Sequence, residues 1–236
     1  MTSYLKQYRR TRIPGPVSGQ SIGFTPTDLS GLVLWLDAPS IGGTDGDAVT
    51  TWADRSASAN NATQSTAAAK PTFKTAIQNG LAIVRFDGGD SLVLGTNITG
   101  GPIHAFAVLD ANGSGYRTIF AALAAAQLQW RIDADGKQSL LKSSTAGIGT
   151  STSAIGANFN YIAVSYSNPN ALFRLNGADD GGGTSAQTGM VINRIGINQA
   201  TEQFNGDIGE LLIYSSVLSD TDRNRVEGYL KTRWGL

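Results

Sequence analysis

The chain is 236 residues long, has no cysteine, and balances 18 basic against 18 acidic residues. A charged fraction of 15% with zero net charge excludes a general polyanion-binding body, so no nucleic-acid partner is expected. The missing thiols exclude disulfides and thiolate metal sites. One recurring texture over this length reads as a single domain able to bury roughly 70–75% of its unfolded surface.

Residues 1–27 are set apart as an extended basic arm. Tyr4, Leu5, Lys6, Tyr8, Arg9, Arg10 and Arg12 crowd its start, and no acidic residue precedes Asp28. Pro14, Pro16 and Pro26, with Gly15 and Gly19, forbid regular structure there. Such a tail is either free or an anchor onto another subunit, with aromatics for contact and arginines for acidic partners. The anchor is the reading carried forward. No apolar core follows the basic residues, so the segment does not read as a secretory signal, and release from a cell is expected only by a route such as lysis. No apolar run reaches the ~20 residues that span a bilayer, so no membrane partner is expected.

From Asp28 onward the text is strand-like. Leu32–Asp37 (LVLWLD) reads as a short buried strand, followed by Thr50–Ala53 and a long decorated loop to Ala69. Leu81–Phe86 and Ser91–Leu94 read as a hairpin around the turn composition DGGD. Ile103–Leu109, Arg117–Ala121, Leu128–Ala134 and Ser139–Lys142 continue, the last two joined at Asp135-Gly136. Ala121–Ala126 is too short for a helix and reads as a strand end and loop. Tyr161–Tyr166 and Leu172–Leu175 follow, the second ending at Asn176-Gly177, and Gly181-Gly182-Gly183 reads as a flexible loop. Met190–Ile197 and Phe204–Tyr214 close the series of roughly a dozen strands.

In the last strand, alternation places Ile208, Glu210 and Leu212 on one face and Leu211 and Ile213 on the other. A helix over about 219–234 ends the chain. Ser219 stands as its N-cap, with Asp222 placed to return the capping bond. Val226, Tyr229, Leu230 and Trp234 fall at i, i+3, i+4 and i+8, giving one apolar stripe. These features define an all-β antiparallel jelly-roll sandwich over 28–236 with a single C-terminal helix.

The order LSGLVLWLDA, TWADRSASANNATQ, LAIVRFDGGDSLVL and FNGDIGELLIYSSVLSDTDRNRVEGYLKTRWG resembles the concanavalin A-like lectin/glucanase superfamily. More narrowly, it resembles laminin-G-like jelly-roll modules of bacterial surface proteins and phage structural proteins. The resemblance spans about residues 29–236. It implies two curved sheets, a concave face, and rim loops that bind sugar or calcium. On such a fold Trp35 and Trp52 are expected in the core, Asp54 is expected to accept backbone N–H bonds in a turn, and Glu210 to satisfy a buried donor or an arginine.

Glycan-cleaving members carry paired carboxylates across the scissile bond on an alternating Glu-x-Asp-x-Glu strand, and nothing here matches. The glutamates are Glu202, Glu210 and Glu227, and Asp207 and Glu210, three apart on a strand, are expected on opposite faces. Asp133 and Asp135 share a face but run into a turn. His104, the single histidine, sits in an apolar strand and reads as structural, and no nucleophile elbow or phosphate loop accompanies it. The reading is therefore non-enzymatic.

Calcium, the one cofactor considered, would draw on Asp87 and Asp90 in FDGGDS ahead of Asp45 and Asp47 or Asp179 and Asp180. Glycan stacking would use Tyr116, Trp130 and Tyr166. Two functions follow. The first is a phage virion structural protein (head decoration, fibre or tail-associated subunit), homo-oligomeric, assembled in the host cytoplasm and exposed on the particle, docked to neighbouring subunits by residues 4–12. The second is a carbohydrate-binding module for surface glycan.

Overall fold

The structure, a computed structural model, describes residues 23–111, 113–122, 128–142, 146–198 and 202–236. The first strands are β1 (Leu32–Asp37), β2 (Thr51–Trp52), β3 (Ala62–Thr63), β4 (Thr72–Gln78), β5 (Leu81–Asp87) and β6 (Leu92–Thr99). Next come β7 (Ile103–Ala111), β8 (Arg117–Ala121), β9 (Leu128–Ile132), β10 (Lys137–Lys142), β11 (Ala146–Ala154) and β12 (Asn160–Ser167). The series ends with β13 (Asn170–Leu175), β14 (Ala178–Thr184), β15 (Val191–Ile195), β16 (Ile197–Asn198), β17 (Glu202–Gln203) and β18 (Asn205–Tyr214). Helix α1 (Asp220–Trp234) closes the chain.

Hydrogen bonding links these strands, among the described residues, in the order β2-β3-β6-β15-β8-β9-β10-β11-β14-β13-β12-β7-β18-β5-β4, with β1 also on β18. Every pairing is antiparallel. The sheet doubles back on itself, because one buried cluster draws from both ends of that order. Leu92, Phe120, Trp130, Leu140 and Ile195 from one half meet Ala105, Ile162, Phe173, Leu211 and Ile213 from the other. This is the sandwich core.

The two halves join through β11 and β14, where Thr150 faces Gly182 and Ser151 faces Gly181. Here the expected flexible loop at Gly181-Gly182-Gly183 is instead a strand. A Cβ on Gly182 would collide with the Ala171 carbonyl, and one on Gly183 with the Ile148 carbonyl. The glycines let three backbones crowd together where the sheet turns, so their lack of apolar pattern hides a strand. Asn176 (φ 49°) and Gly177 (φ 85°) make the tight β13–β14 turn, both in the left-handed region that such hairpins require.

The outer face of the second half is covered by α1. Val226, Leu230 and Trp234 pack on Trp35, Ile83, Phe106, Val108, Leu212 and Tyr214. Ser219 Oγ accepts from the Asp222 amide at 3.2 Å and its hydroxyl donates to Asp222 Oδ2 at 2.9 Å, so Asp222 closes the cap through the Ser219 side chain. Gly235, at φ 67°, ends the helix in the left-handed conformation. Phe24 and Pro26 belong to this body: Phe24 packs on Tyr229, and the Tyr214 hydroxyl donates to the Pro26 carbonyl at 3.0 Å.

Strand β18 is buried on both sides, and its alternation breaks at a bulge between Ile208 and Glu210. Ile208 joins Leu211 and Ile213 in the sandwich core, while Leu212 and Tyr214 face the helix with Glu210. The expected grouping of Ile208 with Glu210 and Leu212 therefore fails. The same bulge returns Asp207 to the side of Glu210, contrary to the opposite faces that plain alternation gives. Gly209 sits under the Trp234 ring, where a Cβ would leave no room.

Glu210 fulfils its expected role as a buried acceptor. It takes hydrogen bonds from Trp35 Nε1 (2.7 Å), Trp234 Nε1 (2.8 Å) and the Tyr229 hydroxyl (2.9 Å). Burial, with the nearby Asp37 charge, pushes its carboxyl up to about 7. Asp54 likewise accepts the amides of Trp35, Ser56 and Asn60, each at 2.8 Å. The DGGD segment is not a hairpin. β5 lies between β18 and β4 whereas β6 lies between β3 and β15, so this turn carries the chain from one half to the other. Local turn composition marks a reversal and is silent on which strands then pair.

Candidate functional site

The outer face of the first half carries a polar network grown from one alternating strand. On β9, Leu128, Trp130 and Ile132 enter the core. Gln129 and Arg131 point the other way, with Asp133 next in phase. Arg131 Nε donates to Asp133 Oδ1 at 2.6 Å and its Nη1 donates to Glu202 Oε1 at 2.8 Å. Asp133 also accepts from the Ser139 hydroxyl at 2.6 Å. Glu202, carried in by β17, which pairs with β16, accepts from Gln129 at 2.5 Å and Asn198 at 3.1 Å. Burial alone would raise the Glu202 carboxyl, but these donors outweigh it and hold it below the ordinary glutamate value. It is an ionised acceptor at neutral pH.

Above this network stands Tyr116. The Arg131 guanidinium lies 4.0 Å from its ring centroid, and the side chain is 47% exposed. Arg117 fixes the preceding loop by donating to the Gly113 carbonyl (2.7 Å) and the Asp133 carbonyl (3.1 Å). The result is an aromatic plate held in place by an arginine that two carboxylates fix in turn. One ring face is taken by Arg131, and the rest meets solvent beside the partly open Asp133 and Glu202. A sugar ring needs such a plate and adjacent acceptors.

The other two aromatic candidates are not plates. Trp130 is fully buried, packing 5.6 Å from Phe120 in the core, because its strand position faces inward. Tyr166 is fully buried too; its hydroxyl donates to the Ser185 carbonyl and accepts from the Gln187 amide, both at 2.9 Å. Its inner side nonetheless borders a cavity at one end of the sandwich. Arg131, Gln129 and Asn198 escape the sequence reading, although the alternation Gln129-Arg131-Asp133 against Leu128-Trp130-Ile132 was there to be seen.

The Asp87 and Asp90 pair is engaged within its own turn. Asp90 Oδ2 accepts the Asp87 amide at 3.0 Å, and Asp87 Oδ1 accepts the Gly89 amide at 2.7 Å. One oxygen of each carboxylate is thus engaged inside the turn, and burial of Asp90 raises it to about 6. Calcium takes 6–8 oxygens, and among the described residues no three acidic, histidine or cysteine side chains converge. Asp45 pairs with Lys74, Asp179 with Arg174, and Asp180 accepts the Ser153 amide at 2.9 Å. His104 is structural: its Nδ1 accepts from the Leu218 amide at 3.3 Å, its ring stacks on Phe106, and burial pulls it down to about 3. The anchoring residues Tyr4, Leu5, Lys6, Tyr8, Arg9, Arg10 and Arg12 lie outside the described residues.

Known structures give the fold a context. Domain 4 of AbnA, a GH43 extracellular arabinanase from Geobacillus stearothermophilus, solved in complex with arabinotriose, superposes with a TM-score of 0.59 at 15% identity. That match covers 80% of this chain and 95% of the domain. The sialidase of Trypanosoma rangeli gives 0.56 at 10% identity over 88% of this chain, which spans about a third of that enzyme (33%). The shared fold is an antiparallel β jelly roll. At these identities the likeness is one of fold. No protein-family model and no curated protein matches the sequence.

Proposed function

We propose that this chain is a carbohydrate-binding module whose ligand rests on Tyr116 and hydrogen-bonds to Asp133 and Glu202. The observation that carries this reading is the exposed Tyr116 ring clamped by Arg131, 4.0 Å from its guanidinium. A ring held this way loses little freedom on binding, and preorganisation of that kind favours affinity. The arabinotriose-bound arabinanase domain of the same fold supports it as a precedent. The test is retention of the full-length chain on immobilised polysaccharides, beginning with arabinan, beside Tyr116→Ala. Retention of the native chain with release of the variant supports the reading; equal behaviour of the two on every polysaccharide overturns it.

A further inference from the structure

A second feature lies far along the chain from the Tyr116 plate in its own set of connections. At one end of the sandwich the β6–β7 link, the β12–β13 turn and the β14–β15 link enclose a cavity of about 360 Å³. That volume is in the range of small-molecule sites. Its floor is apolar, made by the buried Met190 and Tyr166, with the exposed Pro102 beside them. Its mouth offers the hydroxyls of Ser167 and Thr188 and the carboxamide of Asn168, all three residues exposed.

The walls are braced against each other. The Gly100 amide donates to the Met190 carbonyl at 3.0 Å, and the Ser185 amide to the Pro169 carbonyl at 2.8 Å. The Tyr166 hydroxyl bridges Ser185 and Gln187, and Lys142 reaches in from β10 to the Thr188 carbonyl. The cavity is therefore a built recess, closed by bonds between three separate connections.

The lining decides the ligand class. Apart from the Tyr166 phenol, whose hydrogen bonds are already made, no lining residue is ionisable. A cation would lose hydration here with no opposite charge to meet it, and for an anion the one nearby charge, the Lys142 ammonium, is already engaged by the Thr188 carbonyl, so either transfer is costly. An uncharged ring with one apolar face and several hydroxyls matches an apolar floor beneath a rim of hydroxyls and an amide. We propose that this cavity is a second binding site, taking one or two residues of a neutral glycan. The ligand class rests on the carbohydrate-binding reading above, whereas the recess and its selection against charge do not depend on Tyr116.

The molecule supplies its own reporter. It has two methionines, Met1 and Met190, and Met190 lies in the cavity floor. Full-length protein labelled with ¹³C at the methionine methyls is titrated with arabinotriose, xylotriose, chitotriose and trigalacturonate. The Met190 signal is expected to shift with at least one neutral trisaccharide and to stay put with the acidic one. The shift should persist in Tyr116→Ala and vanish in Thr188→Phe, which fills the mouth from an exposed position. A Met190 signal indifferent to every neutral trisaccharide overturns this inference alone, provided Tyr116-dependent binding is seen by calorimetry in the same samples. A shift lost in Tyr116→Ala also overturns it, since one site then explains both signals. Neither heat nor shift overturns both readings.

Discussion

Glu210 makes a quantitative prediction about pH. Its carboxyl is pushed from the ordinary 4.5 to about 7 by burial and by the Asp37 charge, despite the donors from Trp234 and Trp35. The folded state thus holds this proton more tightly than the unfolded chain does. The stability this confers is complete below pH 4.5 and is lost as pH rises towards 7. At about 1.36 kcal/mol per pKa unit, the loss is about 3 kcal/mol. His104 acts in the opposite sense. Its folded value falls from 6.5 to about 3, so stability is lost as pH drops below 6.5, and the two slopes overlap. A wild-type profile alone would therefore look flat. Glu210→Gln isolates the term, because the amide does not titrate. Urea unfolding followed by tryptophan fluorescence at pH 4.5, 5.5, 6.5 and 7.5 should show the variant gaining on the native protein by about 3 kcal/mol across that range. An offset between the two that stays constant with pH would refute the argument, and Glu210 would then be ionised throughout at no cost.

Three further substitutions probe separate joints of the structure. Trp234→Ala removes a fully buried ring that packs on Gly209 and donates to Glu210, so it should cost about 3–5 kcal/mol in urea unfolding and free the helix to early proteolysis. Gly183→Ala forces a methyl onto the Ile148 carbonyl where the two halves join, and should lower stability by about 1–3 kcal/mol, against near neutrality for Gly156→Ala, which has open space. Arg131→Ala strips Asp133 and Glu202 of their shared partner. Since both keep some solvent, a loss of about 2–3 kcal/mol is expected by thermal or urea unfolding, and Arg131→Lys should recover only part of it because one ammonium does not span both carboxylates.

Much of this fold was legible because burial on two sides writes itself into sequence. LVLWLD, IHAFAVL and YIAVSY are strands with both faces covered, and their bounds agree with β1, β7 and β12 to within a few residues. The helix was equally plain from Ser219 and the stripe through Trp234. Strands β11 and β14 were missed since AGIGTSTSA and ADDGGGT hold almost no apolar side chains. They are strands because backbones crowd there, a constraint set between strands: Gly183 of β14 meets the Ile148 carbonyl of β11, and Gly182 meets the Ala171 carbonyl of β13. The bulge at Gly209 was invisible for a similar reason: it answers to Trp234, 25 residues on.

The candidate site was half legible. Tyr116 was singled out as an aromatic, yet nothing local distinguishes its exposed ring from those of Trp130 and Tyr166, which turn inward. What marks Tyr116 is Arg131, and what fixes Arg131 is Glu202, about 70 residues away in a two-stranded sheet. Long-range pairing of this kind leaves no periodic trace. The Asp87 and Asp90 pair illustrates the converse, since one oxygen of each clustered carboxylate accepts an amide of the same turn.

The central claim is that Tyr116 is the floor of a glycan site, and isothermal titration tests it most directly. The full-length chain and its Tyr116→Ala variant are titrated with arabinotriose and with other neutral oligosaccharides. For a central aromatic contact worth about 2 kcal/mol, the account predicts binding by the native chain that weakens roughly 30-fold in the variant, with unfolding curves unchanged. Equal affinities in the two proteins would contradict it.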